Sequence, residues 1–407
     1  MSRRRKASGK GMAGSVALFF FLAFMLLYLR DMKQEGLMLA IGVPVCTYLC
    51  TQVLGRIFHV DALLLSLTNF LCGLGILVLY TTRPTLAYHQ VIYYGAGMAG
   101  MIGCIYVVRI FTSFRHLIWA IILLSLGLLA LPFIGGREIN GAWNWVFMGG
   151  VSFQPSEFVK ISLLLVTAFF MNRRRMLPWL FFAVSCLVLL MFQRDLGTAL
   201  LYYFTTLFLY YASSANLFVT GIGLAGAAGA AVMGYRMFAH VRKRVAIWLN
   251  PFADYEAGGY QIVQGLMALA SGGLVGVGLG LGSPTAIPVY ETDFIFAVIC
   301  EQFGLIFGLC VLMIYAAIVW RGTTIAMAAR TGFHGLLAMG ASLMLGLQTF
   351  VIIGGVIKLI PLTGVTLPFV SSGGSSLVSS MCLTGLIQGV ASVNEDQWEA
   401  DEQLTMF

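Results

Sequence analysis

The residues able to do chemistry in this chain are few, and they stand at the edges of apolar runs. In "VYETDFIFAVICEQ" (289–302), Asp293 immediately precedes the apolar stretch Phe294–Ile299, and Glu301 lies about two turns inside it. Ionised side chains are costly in hydrocarbon and are functional suspects there. A carboxylate at a water–membrane boundary has solvent on one side and a partly desolvated site on the other, an environment that tunes a general base. The same position would serve equally as a helix N-cap.

Other polar clusters share this placement. In "GGREINGAWNWVFMGGVSFQPSE" (135–157), Trp143, Trp145 and Phe147 read as an interfacial aromatic belt, which leaves Arg137 and Glu138 unexplained. Glu157 and Lys160 follow Pro155 at i, i+3 spacing. A carboxylate in a first helical turn is favoured by the helix dipole and can be neutralised across one turn, so the pair is either a structural ion pair or a charge pair lining a cavity. Asp195 in "QRDLGTA" (193–199) could be a cap alone. "LPFVSSGGSSLVSS" (367–380) interrupts an apolar run with Pro368, two glycines and six serines. It suits either close helix packing or a broken helix facing a polar cavity. "SGGLVGVGLGLGSP" (271–284) is not a nucleotide loop, because its glycines alternate and no strand precedes them.

Long apolar elements must position these groups. The chain has 407 residues, is 59% hydrophobic and only 10% charged, with a mean hydropathy of +0.91. Soluble domains carry roughly 25% charge, so this is an all-α polytopic membrane protein. Twelve apolar runs are predicted to be helical: 12–29, 36–55, 60–80, 91–108, 116–134, 156–171, 178–192, 196–211, 217–238, 293–320, 331–358 and 365–392. The "RRRK" start sets the N-terminus in the cytoplasm, and alternation then places 13 of the 24 basic residues inside. Segments 135–157 and 239–292 fall outside, and both termini inside. Within 239–292, "GYQIVQGLMALASGGL" has the spacing of a short amphipathic helix on the outer leaflet. The parts are then a basic N-terminus (1–11), N-terminal helices (12–134), a membrane core with a large outer loop (135–392) and an acidic tail (393–407). That tail, with Glu395, Asp396, Glu399, Asp401 and Glu402, is expected to be solvated and disordered. Removing it leaves a strongly basic body suited to anionic lipids or an anionic lipid-linked substrate. No soluble domain is present to bind nucleic acid. The eight cysteines lie in apolar runs without C-x-x-C spacing, so neither a zinc site nor a disulfide framework is expected.

Taken together, "NWVFMGGVSFQPSEFVK", "RDLGTA", "WLNPFADYEAGGYQIVQGLMALASGGLVGVGLGLG", "TDFIFAVICEQFGLIFG" and "IPLTGVTLPFVSSGGSSL" resemble, in order and spacing from about 137 to 392, the SEDS family of shape, elongation, division and sporulation proteins of RodA and FtsW type. The chain departs from the family pattern at Arg194, where a proline is usual, and at Ser372, where a tyrosine is usual. It also has five apolar runs before the tryptophan loop instead of three, which implies an extra N-terminal pair on a ten-helix core.

The resemblance implies a peptidoglycan glycosyltransferase polymerising lipid II, a disaccharide-pentapeptide on undecaprenyl pyrophosphate, at the outer face of the bacterial cytoplasmic membrane. The family's essential acid falls on Asp293, its Glu and Lys of Q-P-S-E-x-x-K on Glu157 and Lys160, and its D-L-G-T acid on Asp195. Polymerisation needs a base to take a proton from an acceptor hydroxyl while pyrophosphate leaves, and Asp293 fits that role. Arg242, Lys243 and Arg244 are candidates to hold the pyrophosphate, and Arg137, Gln264, Ser371 and Ser375 complete the candidate substrate-binding set. Mg2+ or Mn2+ could help the leaving group, though no ligand cluster demands it. A class B penicillin-binding protein is the family's usual partner. The alternative is a flippase or transporter of lipid-linked cell-wall precursors.

Overall fold

In hydrocarbon every backbone N–H and C=O needs an internal partner, so apolar runs become helices. The computed structural model describes residues 2–111, 115–139, 141–149, 151–253 and 255–405. The N-terminal helices are α1 (Ser2–Asp31), α2 (Gln34–Ile57), α3 (Ala62–Thr82), α4 (Pro84–Ile110) and α5 (Ile118–Gly135). Three short strands follow, β1 (Gly136–Ile139), β2 (Ala142–Met148) and β3 (Val151–Phe153). The middle helices are α6 (Pro155–Asn172), α7 (Met176–Phe192), α8 (Leu196–Ser214), α9 (Leu217–Met237), α10 (Ala239–Leu249) and α11 (Tyr260–Gly272). The chain closes with α12 (Ile295–Met327), α13 (Gly332–Val356) and α14 (Gly374–Thr405). Each of the twelve apolar runs coincides with one helix. Among the described residues, ten helices are long and apolar enough to cross a membrane. The short α7 has 17 residues, and α8 is diluted by threonine and tyrosine.

Hydrogen bonds between distant residues define two ends of the bundle. At one end Arg321 Nη2 meets Asp61 at 2.5 Å, and Asp396 accepts from Arg109 at 2.6 Å and sits 3.3 Å from His59 Nδ1. At the other, Trp143 N donates to Gln193 O at 2.9 Å, Arg83 pairs with Glu291 at 3.2 Å and Arg244 donates to Thr363 O at 2.9 Å. The segments 135–157 and 239–292 thus share an end, away from both termini. The centre of the bundle is α3 and α14, each 83% buried over its most apolar stretch, whereas α9 is only 6% buried.

Four features differ from the sequence reading. The 135–157 loop is an antiparallel sheet in the order β1-β2-β3, because its alternating aromatics form strands rather than an irregular belt. The last apolar run does not become helical until Gly374, since Pro368 and the glycines unwind it. The acidic tail is not disordered: α14 continues to Thr405, with Asp396 and Asp401 paired to Arg109 and Arg330 and Arg330 set over Trp398. Residues 406–407 of the tail lie outside the described residues. Finally, α11 does not lie free on a surface. Its buried face, Ile262, Val263, Gly265, Ala268 and Gly272, packs on α12, with Gly265 against the Phe294 ring and Gly272 against Cys300 O.

The glycine-rich stretch now has a physical account. α12 breaks at Gly304, where φ is +86° and ψ 168°. A break inside a bundle strands carbonyls and amides on both sides. Here Val277 N donates to Glu301 O at 2.9 Å and Gly278 N to Gln302 O at 3.0 Å, while Leu305 N and Ile306 N donate to Gly273 O and Leu274 O. The 273–278 backbone therefore substitutes for the missing turn. The approach is so close that a Cβ at Gly304 would sit 2.3 Å from Leu274 O. Gly304→Ala should lower the melting temperature of the detergent-purified protein sharply, backbone strain alone costing about 1–3 kcal/mol. Gly103→Ala, with nothing within 4 Å of its added carbon, should melt like wild type; equal melts for the two variants would discount the break.

Candidate active site

Asp293 stands two residues ahead of α12, and its segment is held by backbone bonds. Thr292 N and Asp293 N both donate to Val289 O at 3.3 Å, with Val289 itself in the left-handed region at φ +56°. Ser371 Oγ donates to Thr292 O at 2.5 Å, and Ser372 N donates to Glu291 O at 2.8 Å. The carboxylate is thus carried on a turn in which the Val289, Glu291 and Thr292 carbonyls all accept hydrogen bonds. Opposite it, Arg244 from α10 donates to Thr363 O. Arg244 Nη2 and Asp293 Oδ2 each lie 3.9 Å from where a Cβ on Gly364 would sit. Gly364 (φ +76°) is therefore the floor between acid and guanidinium. The buried Thr363 Oγ1 and Tyr290 hydroxyl close by in sequence make no hydrogen bond to the protein. Burial pushes the Asp293 carboxyl up to about 6; the Thr292 hydroxyl and Arg244 oppose that shift, and Glu291 adds to it.

A second cluster lies inside the bundle. Lys160, 1% exposed, sits 2.8 Å from Glu157 Oε1 and 2.9 Å from Gln348 Oε1. Ser379 donates to Glu157 Oε2. Gln348 Nε2 donates in turn to Thr366 O at 2.9 Å, and Thr366 Oγ1 meets Ser376 Oγ at 2.5 Å. The i, i+3 spacing expected to pair Glu157 with Lys160 does so, and both carboxylate oxygens of Glu157 and two of the ammonium's donors have partners, as buried charges require.

A third cluster centres on Asp195, the N-cap of α8. Its Oδ1 accepts from Thr198 N at 3.1 Å, and its Oδ2 accepts from Gln154 Nε2 at 2.8 Å and Asn144 Nδ2 at 3.0 Å. The cap reading is therefore correct but incomplete, because Asp195 also ties β2 and the start of α6 to α8. The segment 357–373 connects all three clusters. Thr363 meets Arg244, Thr366 meets the Lys160 network, and Thr363 O and Val365 crowd Gly197 of α8, leaving no room for a Cβ.

The other sequence candidates separate. Ser371 is 2% exposed and orders the Asp293 turn, donating from Oγ and receiving at Oγ from Leu367 N at 2.9 Å. Ser375 is buried in the first turn of α14. Gln264 lies half-buried on α11. Arg137 is exposed on β1, its guanidinium 5.4 Å from the Phe147 ring, and Arg242 is exposed on α10. Neither joins the buried network: Arg137 pairs opposite Trp145 on the face that carries Phe147, and Arg242, like Arg244, is exposed on α10 but makes no hydrogen bond to the 357–373 segment among the described residues. The residues the sequence reading missed are Gln348, Ser379, Thr366, Asn144 and Gln154. A glutamine in the middle of the apolar run "LMLGLQTFVI" is the signal that could have found Gln348. Glu301 proves to be a loop anchor, its Oε1 accepting from Ser283 N at 3.0 Å.

Fold and site together define a polytopic α-helical membrane protein with a charged site at one end of the bundle. Residues 71–396 match the family model for FtsW, RodA and SpoVE, described as cell cycle proteins, and the chain belongs to that family. Peptidoglycan glycosyltransferase RodA of Mycobacterium leprae is 34% identical over 82% of this chain and 78% of its own length. Stage V sporulation protein E of Bacillus subtilis is 32% identical over 81% of this chain and 96% of its own. A chain of a solved peptidoglycan synthase complex, in which polymerization and crosslinking are coordinated, superposes with a TM-score of 0.71 at 28% identity, covering 83% of this chain and 98% of that one. Rod shape determining protein RodA of Thermus thermophilus gives a TM-score of 0.60 at 27% identity over 83% and 98% of the two chains.

Two outcomes test the electrostatics. Glu157→Gln and Lys160→Met should each destabilise by about 3–5 kcal/mol, leaving one buried charge unpaired, and the double variant should cost less than their sum in denaturation experiments. A folded-state pKa of about 6 for Asp293, above its ordinary 3.8, means the native state holds that proton more tightly. Stability from this group is therefore present at low pH and lost as pH rises from about 4 to about 6. Asp293→Asn should melt above wild type at neutral pH, and the gap should close near pH 4.

Proposed function

We propose that the chain polymerises a lipid-linked disaccharide-pentapeptide, lipid II, into glycan strands, with Asp293 as general base. The observation that carries this is the placing of the Asp293 carboxylate and the Arg244 guanidinium about the same glycine, Gly364, with burial raising that carboxyl to about 6. At neutral pH Asp293 is ionised yet close enough to the working pH to take and release a proton efficiently. It removes the proton from the acceptor sugar hydroxyl as that oxygen bonds to the donor's anomeric carbon. The bond to the undecaprenyl pyrophosphate breaks, and the departing phosphate charge is met by Arg244. Arg242 and Lys243, exposed on the same helix, supply attraction for the anionic lipid at longer range. The buried Glu157–Lys160–Gln348 network holds the 363–371 segment, and through it the spacing of Asp293 and Arg244.

Among the described residues no three His, Cys, Asp or Glu side chains converge as metal ligands. The site offers no protein cage for Mg2+ or Mn2+, and no step above depends on one. The site end faces the outside of the bacterial cytoplasmic membrane and both termini face the cytoplasm, an orientation supported by the basic residues at the terminal end. A penicillin-binding protein of class B is the crosslinking partner on this reading, supported by the likeness to a chain of a peptidoglycan synthase complex.

The test is glycan synthesis from lipid II by purified protein in detergent, where a flippase, lacking two leaflets, would make nothing. Asp293→Asn should reduce the rate by about 10²–10⁴-fold while remaining folded; near-normal synthesis would remove Asp293 as base. In whole cells, an impermeant thiol reagent should label a cysteine placed at Ser283 but not one at Ser2. Labelling at both would refute the orientation.

A further inference from the structure

The family match begins at residue 71, inside α3, and the solved relatives leave about a sixth of this chain uncovered while almost all of their own length is covered. The helices α1 and α2 thus lie ahead of the matched core. They are nonetheless docked on it. The Phe20 ring occupies the space where a Cβ on Gly73 would be, Phe19 stacks on Phe307 of α12 at 6.3 Å, and Asn69 of α3 donates to Thr51 of α2 at 3.0 Å.

One polar contact reaches further. At the end of α1, Arg30 Nε and Nη2 bind the two carboxylate oxygens of Asp31 at 2.8 and 3.2 Å. A forked pair of this kind fixes the guanidinium plane, and the remaining nitrogen, Nη1, donates to Leu279 O at 3.0 Å. The next residue, Gly280, has φ +70°, and a Cβ there would lie 2.8 Å from Arg30 Nη1. Leu279 belongs to the glycine-rich segment that fills the break in α12. Gly280 N also bonds Gln302 Oε1 at 3.3 Å, and Gln302 is tied to Thr81 of α3 at 3.0 Å. The part of α12 ahead of its break is the short stretch from Ile295 to Phe303, and Asp293 stands at its front. α11 grips one side of this half-helix, and the segment fixed by Arg30 supplies the backbone partners at its far end.

We propose that Arg30 is a positioning residue for the reaction at Asp293: clamped by Asp31, it pins the 273–283 segment and so fixes the half-helix that carries the base. The N-terminal hairpin is on this account a brace for the catalytic helix, supplied by the chain itself. The proposal rests on the polymerase reading for its kinetic consequence but not for its structural one. Arg30 is 37% exposed and Asp31 34%, and exposed ion pairs contribute little to stability. The clamp should therefore show in local order and in turnover, and not in the global melt.

The test compares full-length wild type with Arg30→Gln, Arg30→Lys and Asp31→Asn in detergent. Hydrogen exchange at the amides of Val277 and Gly278 should quicken by about tenfold in Arg30→Gln, the change expected for loss of one charge-assisted hydrogen bond. With lipid II as substrate, kcat should fall by a similar factor with KM unchanged, because Arg30 does not touch the substrate. Arg30→Lys, which keeps a donor but not the fork, should fall between, and Asp31→Asn should behave like it. Unchanged exchange at 277–278 in Arg30→Gln overturns the proposal. So does quickened exchange with unaltered kcat, and so does a loss of activity that only follows a lowered melting temperature. If the wild-type chain makes no glycan, the polymerase reading fails by itself, and the exchange measurement still decides whether Arg30 holds the segment.

Discussion

The structure depends on satisfying the backbone of one unwound stretch at the site end of the bundle. Residues 363–372 lie between α13 and α14, mostly buried and with no helical ladder of their own, so their N–H and C=O groups need partners. Their polar atoms are met one at a time, four of the carbonyls by side chains from elsewhere. Arg244 serves Thr363 O, Gln348 serves Thr366 O, Tyr315 serves Pro368 O at 2.5 Å, and Gln90 serves Ser371 O at 3.0 Å. Ser371 Oγ receives Leu367 N, and Ser372 N turns to Glu291 O. Four helices, α4, α10, α12 and α13, and the loop carrying Glu291 are thereby fixed around one stretch of chain. The site clusters are the places where those obligations are met with charged or amide side chains.

The three acids of the site are used differently, and their surroundings decide how. Glu157 is neutralised by a lysine one turn away and hydroxyl-bonded on its second oxygen. Asp195 distributes its lone pairs among a backbone amide and two side-chain amides from other elements. Both are committed to holding elements together. Asp293 has its turn held through backbone carbonyls instead, so its carboxylate, influenced by the Thr292 hydroxyl and by Arg244, is not committed to tying elements together.

Much of this was legible in the sequence. Hydropathy located every long helix, because a bilayer rewards twenty apolar residues more reliably than any soluble core rewards periodicity. The i, i+3 spacing of Glu157 and Lys160 and the N-cap at Asp195 were legible because they are local. The partners Gln348 and Ser379, 188 and 222 residues away from their acceptors or donors, were not, since no local pattern encodes which helices meet. The glycine-rich stretch 271–284 can be rejected as a nucleotide loop from its spacing, but its role of completing a broken helix requires knowing where Gly304 lies. Arg137 and Arg242 were drawn in by charge alone; both are exposed and neither joins the buried network. The tail looked disordered because its acids were counted without the arginines that await them at the ends of α4 and α12.

The burial of α14 bears on how the molecule is made. With α3 it is the most enclosed of the candidate membrane-spanning helices among the described residues, yet it follows in sequence every helix it packs against. Until it enters, α4 must sit in the lipid with Gly97, Gly100 and the backbone beside Cys104 facing an empty channel that Met381, Cys382 and Gly385 will later fill. Thr366 and Glu157 likewise wait for the hydroxyls of Ser376 and Ser379. Helices α4 and α6 are thus completed from far along the sequence, and a chain cut short before residue 374 would lack the side chains that fill the glycine notches of α4 and the hydroxyls that bind Thr366 and Glu157.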